Sequence, residues 1–414
     1  MSVNPDLKGS ALSLSRTFSR REFLGALAAA ALAPRRAWVP ASKVVVVGGG
    51  AFGGWTALHL LRRGAKVTLV DRWGAGNRLS SSGGESRLVR ATYGTQRIYS
   101  ELMVRAFQLW EENERRWNKT LVTRTGALRW GGADPDQQRE AIALLAELGV
   151  QLELLTVADA ERRFPQINFD GVLNAYFEHG AGFVRAREAC RAVLDGFIAE
   201  GGTYRESALQ PGTISGGAMA DASLADGTKL IADRYVFACG PWLPQLFPDV
   251  LGTRITPTRQ EVFFFQTPAG DDRFSVGKMP TWVDYSSDRI FYGVPAYPDH
   301  GFKVADDTRG PRVDPTTQDR TPTEEWRARA RALVARRFPA LRDAPIANAL
   351  VCQYEESKDG HFIVDRHPAA ANVWLVGGGS GHGFKHGPAL GERVARQVLG
   401  EQPLEPQWSL SRFR

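Results

Sequence analysis

Lys43–Gly53, with the sequence KVVVVGGGAFG, decides the fold class of this chain. Its four consecutive valines are typical of a strand that is buried on both faces in a parallel sheet. Gly48, Gly50 and Gly53 follow at the spacing G-x-G-x-x-G, which predicts a tight turn that leads into a helix. The stretch therefore predicts a strand, a glycine-rich turn and a helix in direct succession.

The next residues complete a nucleotide-binding unit. Trp55 to Arg63 has leucines at helical spacing, and the strand Lys66 to Val70 follows and ends at Asp71. Asp71 lies 18 residues after Gly53, close to the roughly 20 at which the acidic residue of a dinucleotide fold meets the ribose hydroxyls. The helix N-terminus would supply amide donors to a pyrophosphate. This unit predicts a dinucleotide site, and it leaves both NAD and FAD open.

Length and composition set the class of protein. The chain has 414 residues, which corresponds to two or three domains at ~150 residues each. The hydrophobic share of 43% and the charged share of 23% are those of a globular protein, so disordered and fibrous classes are excluded. Its three cysteines, Cys190, Cys239 and Cys352, exclude a disulfide scaffold and a zinc site with paired C-x-x-C spacing. We predict no metal site.

The N-terminus has the architecture of an export signal. Ser19–Leu24 reads S-R-R-E-F-L and fits the twin-arginine signature, and the apolar run Gly25 to Ala33 follows. That run is about half of the ~20 residues that cross a bilayer, so we expect no permanent membrane span. Val39 and Ala41 allow cleavage before Ser42, and Ala31 and Ala33 offer another site, where Pro34 would follow directly and is unfavourable. We predict export of the folded, cofactor-loaded protein by the twin-arginine machinery, and a periplasmic or extracellular location.

The leader also explains much of the basic charge. Six basic against two acidic residues in positions 1–41 account for four of the seven net positive charges. The remainder has no basic run and no aromatic-basic repeat, so we expect no nucleic-acid partner.

Further patterns predict the elements beyond the nucleotide unit. Helical spacing recurs between Ile142 and Leu154, from Arg187 to Glu200 and from Thr323 to Phe338, and alternation predicts antiparallel strands of a separate sheet. The remaining predicted segments are strands at Arg234–Gly240, Thr256–Phe265, within Arg289–Val304 and at Asn372–Val376, a loop at Gly310–Pro322, and a helix at Pro388–Leu399.

Four segments, in this order along the chain, resemble the monomeric sarcosine oxidase and N-methyltryptophan oxidase group of FAD-dependent amine oxidases, in the D-amino-acid oxidase-like superfamily. The resemblance covers about residues 43–400. The segments are Ser86–Gly94, Ile290–Gly293 with Lys303 eleven residues after Tyr292, Cys352–Tyr354 followed by His361–Asp365, and Ser380–Lys385.

The resemblance implies an α/β fold in which an FAD-binding, Rossmann-like domain is interleaved with a mixed-sheet substrate domain. The implied boundaries are a signal segment at 1–41, FAD-binding parts at 42–121, 179–253 and 345–414, and substrate parts at 122–178 and 254–344.

The resemblance also implies roles for individual residues. Cys352 would bond through sulfur to the 8α-methyl of FAD. Arg90 and Lys385 would bind a substrate carboxylate, and Arg87 would lie against the flavin ring. Lys303 would sit near flavin N5 and promote the reaction with oxygen. The remaining implied residues are Tyr292 and Tyr354 in the substrate pocket, and Gly48, Gly50, Gly53, Asp71, Gly381, His382, Gly383 and Lys385 around the cofactor.

Two positions depart from the family pattern. Gly83 replaces a histidine that helps flavin attachment in that group, so we expect attachment at Cys352 to be slow or incomplete. Asp307 replaces another histidine near the amine, and an acid there would favour a substrate with additional positive charge.

The implied reaction is the two-electron oxidation of the C–N bond of an amino acid, secondary or N-methyl, to an imine, with oxygen reduced to hydrogen peroxide. One alternative is a periplasmic FAD-dependent dehydrogenase that passes electrons to a carrier or the respiratory chain. The other is a non-catalytic flavin-containing binding or accessory protein.

Overall fold

The glycine-rich turn and its flanking elements form as predicted. A computed structural model describes residues 42–131 and 135–413 of the chain, and the predicted signal segment lies outside these residues. Lys43–Val47 is a strand (β1), Ala51–Arg62 a helix (α1) and Lys66–Asp71 a strand (β2). β1 and β2 pair in parallel, as a strand–helix–strand unit requires.

The other described elements follow in chain order. The strands are β3 (Ser86–Val89), β4 (Val122–Arg124), β5 (Ala127–Gly131), β6 (Leu152–Leu155), β7 (Asn174–Glu178), β8 (Gly182–Arg185), β9 (Thr203–Glu206), β10 (Leu209–Pro211), β11 (Ile214–Ser215), β12 (Ala218–Met219), β13 (Ala222–Leu224), β14 (Lys229–Leu230), β15 (Arg234–Phe237), β16 (Ile255–Phe265), β17 (Thr281–Tyr285), β18 (Phe291–Val294), β19 (Phe302–Asp306), β20 (Ile346–Ser357), β21 (Ile363–His367) and β22 (Ala370–Gly377). The helices are α2 (Arg97–Trp117), α3 (Pro135–Glu147), α4 (Val157–Arg163), α5 (Ala186–Ala199), α6 (Leu243–Leu246), α7 (Pro248–Leu251), α8 (Glu324–Arg337) and α9 (Gly387–Val398).

The nucleotide sheet has six strands among the described residues, in the order β21-β22-β15-β1-β2-β9. β1 lies between β2 and β15, and β22 pairs in parallel with β15. The chain therefore leaves β1 toward one side of the sheet and later returns on the other. This arrangement opens a crevice at the carboxyl end of β1, where ligands bind in open α/β sheets. The prediction that the C-terminus returns to this sheet is confirmed.

A second, mixed sheet of eight strands lies beside it, in the order β20-β16-β19-β18-β17-β5-β7-β6. Its longest pair is β16 with β20, and β18 and β19 form the antiparallel pair predicted within Arg289–Val304. A large aromatic core that includes Trp130, Trp282 and Phe302 packs against this sheet. β20 is an edge strand of this sheet, and at its end the Ser357 N–H donates a hydrogen bond to Ser380 Oγ in the segment that follows β22 of the nucleotide sheet.

One predicted helix is wrong in part. The segment Ile142–Leu154 is helical only to Glu147, because Gly149 takes a left-handed φ of +72° that ends α3. Leu152–Leu155 is instead β6, which pairs with β7 at the end of the mixed sheet. The cap predicted at Thr323 is confirmed, since its side chain accepts a hydrogen bond from the Trp326 N–H.

The predicted domain boundaries stay a prediction, because Ala41–Arg414 is one compact unit. Within the part of the chain that the structure describes, no helix combines the length and the apolar character that a membrane crossing needs.

Candidate active site

Two of the three motif glycines are required by close backbone contacts. Gly48 has a φ of +104°, and a Cβ there would lie 2.3 Å from the Ala238 carbonyl oxygen. A Cβ at Gly53 would lie 1.9 Å from the Gly48 carbonyl oxygen. Any side chain at these two positions would push α1 away from β1 and β15. The N-terminus of α1 is therefore held against the carboxyl end of β1.

Asp71 stabilises the glycine-rich turn, and it also lines a cavity next to that turn. Its Oδ2 accepts a hydrogen bond of 2.7 Å from the Gly49 N–H, and its Oδ1 accepts one of 2.9 Å from the Trp73 N–H. Burial raises the pKa of the Asp71 carboxyl, against the effect of these N–H donors. Each carboxylate oxygen retains a second lone pair, so a ribose hydroxyl can still donate to Asp71.

A cavity of about 360 Å³ runs from Asp71 along the α1 N-terminus to Arg87 and the C-terminal glycine-rich segment. Gly48 and Gly50 line it near the turn. Gly381 and Gly383 line it on the other side, where Cβ atoms would lie 2.7 Å from the Tyr354 ring and 2.6 Å from the Phe52 ring. An extended cavity with a helix N-terminus along its wall and an acid at its end fits a dinucleotide with its pyrophosphate on that helix.

Glu355 lines the same cavity, and the sequence analysis missed it. A Cβ added to Gly379 would lie 2.9 Å from Glu355 Oε1, so the carboxyl lies directly against the glycine-rich segment. Burial raises the pKa of Glu355 to about 7, although the N–H groups of Gly379 and Gly378 lower it. Glu355 follows Tyr354 in the sequence, and the matched segments gave no other indication that it lines the cavity.

Cys352 and Lys303 lie close to Arg87, which lines the far end of the cavity. Cys352 Sγ lies 3.5 Å from Arg87 Nη2 and 4.0 Å from the Ser81 carbonyl oxygen. Lys303 Nζ donates a 2.9 Å hydrogen bond to the Ser86 carbonyl oxygen. With only 2% of its surface exposed, Lys303 is not a solvated lysine. Burial, and then the Arg87 charge, lower the pKa of Lys303 to about 7.

The loop that precedes Arg87 has no room for the histidine that the family pattern has at Gly83. A Cβ at Gly83 would lie 2.1 Å from the Asn77 carbonyl oxygen and 3.0 Å from Arg78 backbone atoms. The glycine is therefore required by the local backbone, and a histidine would need a different loop path.

A second cavity, of about 300 Å³, adjoins the first and shares Arg87, Gly381 and Phe384 with it. Arg90 and Lys385 meet there at one aromatic ring, with Arg90 Cζ 5.1 Å and Lys385 Nζ 5.2 Å from the centre of the Tyr93 ring. Lys385 Nζ also donates a 3.0 Å hydrogen bond to the His382 carbonyl oxygen. Burial, and then the Arg90 charge, hold the pKa of Lys385 well below its usual range. Two cations forced together in a buried cavity are arranged to receive an anion.

A chain of hydroxyls and charges connects the two cavities, because Tyr292 and Asp307 line the second cavity and Tyr354 lines the first. Tyr292 Oη lies 3.1 Å from Tyr354 Oη, and Tyr354 Oη donates a 3.0 Å hydrogen bond to Asp307 Oδ1. Arg309 Nη1 lies 3.0 Å from Asp307 Oδ2. The second cavity thus holds cations for an anionic group together with a hydrogen-bonded carboxyl.

His382 supports the wall between the two cavities. Its Nε2 lies 3.0 Å from the Gly360 carbonyl oxygen and its Nδ1 lies 3.2 Å from Tyr93 Oη. Burial, and then the Lys385 charge, lower the pKa of His382 to about 3, so the imidazole is neutral. His382 lines the second cavity, where it holds Tyr93 in place between the two cations.

A comparison with family models now identifies the chain. The model DAO, described as FAD dependent oxidoreductase, matches residues 43–397. The chain belongs to this family. The DAO match confirms the predicted resemblance, enzyme class and dependence on FAD.

Two related proteins and one solved structure show what this DAO-family chain is similar to. Monomeric sarcosine oxidase of Streptomyces avermitilis is 31% identical over 368 residues, which cover 87% of this chain and 94% of that protein. N-methyl-L-tryptophan oxidase of Salmonella heidelberg is 27% identical over 397 residues, which cover 89% and 98%. Among solved structures, L-proline dehydrogenase from P.horikoshii has a TM-score of 0.77 at 21% identity, covers 91% of this chain and 98% of that chain, and shares the fold. The predicted fold class is confirmed.

In this DAO-family chain, most of the predicted site residues line one of two adjoining cavities. Three do not: Gly53 packs against the Gly48 carbonyl, Cys352 lies behind the lining beside Arg87, and Lys303 is bonded to the Ser86 carbonyl. Among the residues of the second cavity that sequence reasoning missed are Tyr93, Arg309 and Asp359. Tyr93 lies within the matched segment Ser86–Gly94, which offered a signal for it. Arg309 follows Asp307 by two residues, and only the folded loop shows that the two side chains pair.

Proposed function

We propose that this protein oxidises the C–N bond of a secondary or N-methyl amino acid to an imine and reduces oxygen to hydrogen peroxide. The observation that carries the proposal is the meeting of Arg90 and Lys385 at Tyr93, next to the cofactor cavity. The sarcosine and N-methyl-L-tryptophan oxidases among its relatives support the substrate class.

Arg90 and Lys385 would hold the substrate carboxylate. A guanidinium offers paired donors and the ammonium adds a second charge. The substrate anion would also relieve the repulsion that lowers the pKa of Lys385. Fixing the carboxylate would leave the amine end to reach Asp307, which lines the second cavity, and Tyr354, which lines the adjoining cofactor cavity.

FAD, when bound, supplies the two-electron acceptor for this oxidation. Gly48, Gly50, Gly53 and Asp71 would hold its nucleotide end, and Gly381 and Gly383 would line its path toward Arg87. Arg87 would place a positive charge beside the flavin ring, where negative charge develops during reduction.

Lys303 supports oxygen as the electron acceptor. It is a buried lysine whose Nζ lies over the Tyr292 ring, 5.3 Å from its centre. A fixed positive charge there would stabilise negative charge as it develops on oxygen. A dehydrogenase would have no use for this charge, and for this reason we favour the oxidase.

Cys352 supports covalent attachment of FAD, since its Sγ lies 3.5 Å from Nη2 of Arg87, the residue that would lie against the flavin ring. Because the backbone around Gly83 excludes a histidine, attachment would proceed without the helper that the resemblance implies. We therefore propose a covalent link that forms slowly.

The S-R-R-E-F-L signature of Ser19–Leu24 supports export by the twin-arginine machinery and a periplasmic or extracellular location. The test is fractionation of cells that produce the full chain. Protein of full length in the cytoplasm alone would contradict export, and Arg20→Lys with Arg21→Lys is the matched control.

The test of the enzymatic proposal is anaerobic mixing of the holoenzyme with N-methyl and cyclic amino acids while the flavin absorbance is followed. Bleaching is expected with at least one of them, and the absorbance should return on admission of oxygen, with one hydrogen peroxide formed per turnover. Bleaching without fast return in oxygen would favour the dehydrogenase. A flavin that no member of the set bleaches would favour the binding protein.

A further inference from the structure

We propose that Asp307 takes up the proton that the substrate ammonium must lose, and that the hydroxyl of Tyr354 passes this proton to it. The proposal rests on the proposed function, because it names the proton acceptor for that reaction. Asp307 would thus act on the amine end of the substrate while Arg90 and Lys385 hold the carboxylate end.

The reaction requires such an acceptor. A secondary amino acid is a zwitterion at neutral pH, with a protonated nitrogen, because an amine of this kind has a pKa near that of lysine, ~10. A hydride leaves the adjacent carbon only when the nitrogen has a free lone pair. The cations Arg87, Arg90 and Lys385 line the cavity, and their charge favours loss of the ammonium proton.

Two aspartates line the substrate cavity, and their surroundings differ. Asp359 is paired with Arg412, whose Nε lies 2.7 Å from Asp359 Oδ2, and it accepts a hydrogen bond from the His361 N–H. Burial raises the pKa of Asp359, but the hydrogen bonds from Arg412 and His361 outweigh this effect and hold the pKa below its usual value. Burial raises the pKa of Asp307, although Arg309 and Tyr354 oppose the shift. When two acids in one site are shifted in opposite directions, the one with the raised pKa is the candidate proton carrier.

The hydrogen bonds around Tyr354 have a direction that suits a relay. Because the Tyr354 O–H donates to Asp307 Oδ1, the 3.1 Å contact with Tyr292 requires Tyr292 as the donor. Tyr354 lines the cofactor cavity next to Gly381, which borders both cavities. Its Oη has one more lone pair, which can accept a hydrogen bond from an ammonium at this boundary. As the ammonium proton moves to Tyr354 Oη, the proton of Tyr354 moves to Asp307 Oδ1.

This step balances without an oxidant. One N–H bond breaks, one O–H bond of Asp307 forms, and Tyr354 ends as it began. Asp307 can take part because 26% of its side-chain surface is accessible. Its partner Arg309 also lies within hydrogen-bond distance of the Ser380 carbonyl oxygen, which keeps the carboxyl fixed at the cavity wall.

Several charged or titratable groups act on Asp307 besides Tyr354 and Arg309. Of these, Lys385 is a titratable group, and burial and the Arg90 charge hold its pKa well below its usual range. A test must therefore leave Lys385 unchanged in every variant. The remaining groups are Arg90, Tyr285, Tyr292 and Glu356.

The first measurement is the limiting rate of anaerobic flavin bleaching at saturating substrate, from pH 6 to pH 10. For Asp307→Asn we expect a loss on the order of a hundredfold at neutral pH, the usual contribution of a positioned base. The rate should approach the wild-type rate at high pH, where solvent removes the ammonium proton. Tyr354→Phe should give the same profile, and Asp307→Glu should restore much of the rate at neutral pH. Asp359→Asn, the same change at the other aspartate, should keep the wild-type pH dependence.

A second measurement needs no substrate oxidation. Methylthioacetate carries the carboxylate but no amine, and its binding can be followed by the perturbation of the flavin spectrum. In the wild type its Kd should rise as the pH rises through the pKa of Asp307, because the ionised acid repels the ligand. In Asp307→Asn the rise in Kd that is caused by ionisation of Asp307 should disappear. Only the pH dependence that is caused by Lys385 should remain.

The outcomes separate the two proposals. A wild-type flavin that no amino acid bleaches would overturn the proposed function. Bleaching by the wild type, with a loss in Asp307→Asn that is equal at every pH, would overturn the proton-acceptor proposal alone. An unchanged profile in Tyr354→Phe would overturn the relay.

Discussion

Lys303→Met should separate the two halves of the catalytic cycle. Lys303 is the buried lysine over the Tyr292 ring, and its Nζ lies 5.3 Å from the centre of that ring, which borders the substrate cavity. At this distance from Lys303 Nζ, and with an effective dielectric constant of about 20, the unit charge of the ammonium stabilises a developing anion by about 3 kcal/mol. At ~1.4 kcal/mol per factor of ten, the reaction with oxygen should slow by about two orders of magnitude. Bleaching of the flavin by substrate should change far less.

The assay is stopped-flow absorbance of both half-reactions, with anaerobic bleaching by substrate first and mixing of the bleached enzyme with oxygen second. The exposed Lys278 provides the matched control, because Lys278→Met removes the same charge from a surface position. The variant should fold, since the loss of a buried charge removes a desolvation cost.

The pH dependence of the second half-reaction tests the same charge in the wild type. The pKa of Lys303 is lowered to about 7 by burial and by Arg87. The ammonium form is therefore present below that pH, and the rate with oxygen should fall as the pH rises through this range. Negative charge that develops on the cofactor would raise the pKa of Lys303 and so shift the midpoint of this pH dependence to higher pH. Normal reoxidation by Lys303→Met, or a wild-type rate no faster than that of free flavin, would refute the reasoning.

Three further outcomes are expected. Acid-precipitated wild-type protein should keep its yellow colour and Cys352→Ser should release it; complete release from the wild type would contradict the covalent link. Arg90→Gln or Lys385→Gln should raise the substrate Kd roughly ten- to a hundredfold, since a charge-assisted hydrogen bond contributes ~1.5–3 kcal/mol, and an amine without the carboxylate should be a poor substrate; equal turnover of both would exclude this role. Gly53→Ala should lose FAD on gel filtration, because its Cβ would lie 1.9 Å from a carbonyl oxygen, whereas Gly180→Ala, with no atom within 4 Å of its Cβ, should retain it.

The nucleotide-binding half could be predicted from the sequence because its signals are local. The valine run, the glycine spacing and the terminal Asp71 lie within about 30 residues, and each has a backbone reason that holds in any such unit. Gly48 and Gly53 are examples, because a Cβ at these positions would collide with the carbonyl oxygens of Ala238, directly after β15, and of Gly48, directly after β1. Gly149 shows the limit of periodicity, because apolar spacing alone did not reveal the turn between α3 and β6.

The substrate site could be anticipated only residue by residue through resemblance. Arg90, Asp307 and Lys385 are separated by more than 70 residues from one another, and no periodic pattern connects them. The structure joins them because β3, the strand pair β18–β19 and the C-terminal turn meet at one cavity.

By itself, the sequence determined the strand–turn–helix unit, the FAD-family resemblance and several of the charged, aromatic and glycine residues that line the two cavities, since these depend on local backbone chemistry and on matched segments. Only the tertiary structure decided what surrounds each charged group. It buried Lys303 against Ser86, excluded a side chain at Gly83, and set Asp307 and Asp359 in contrasting surroundings within one cavity. The physical reason is that a pKa and a steric fit depend on desolvation and on neighbours brought from distant parts of the chain.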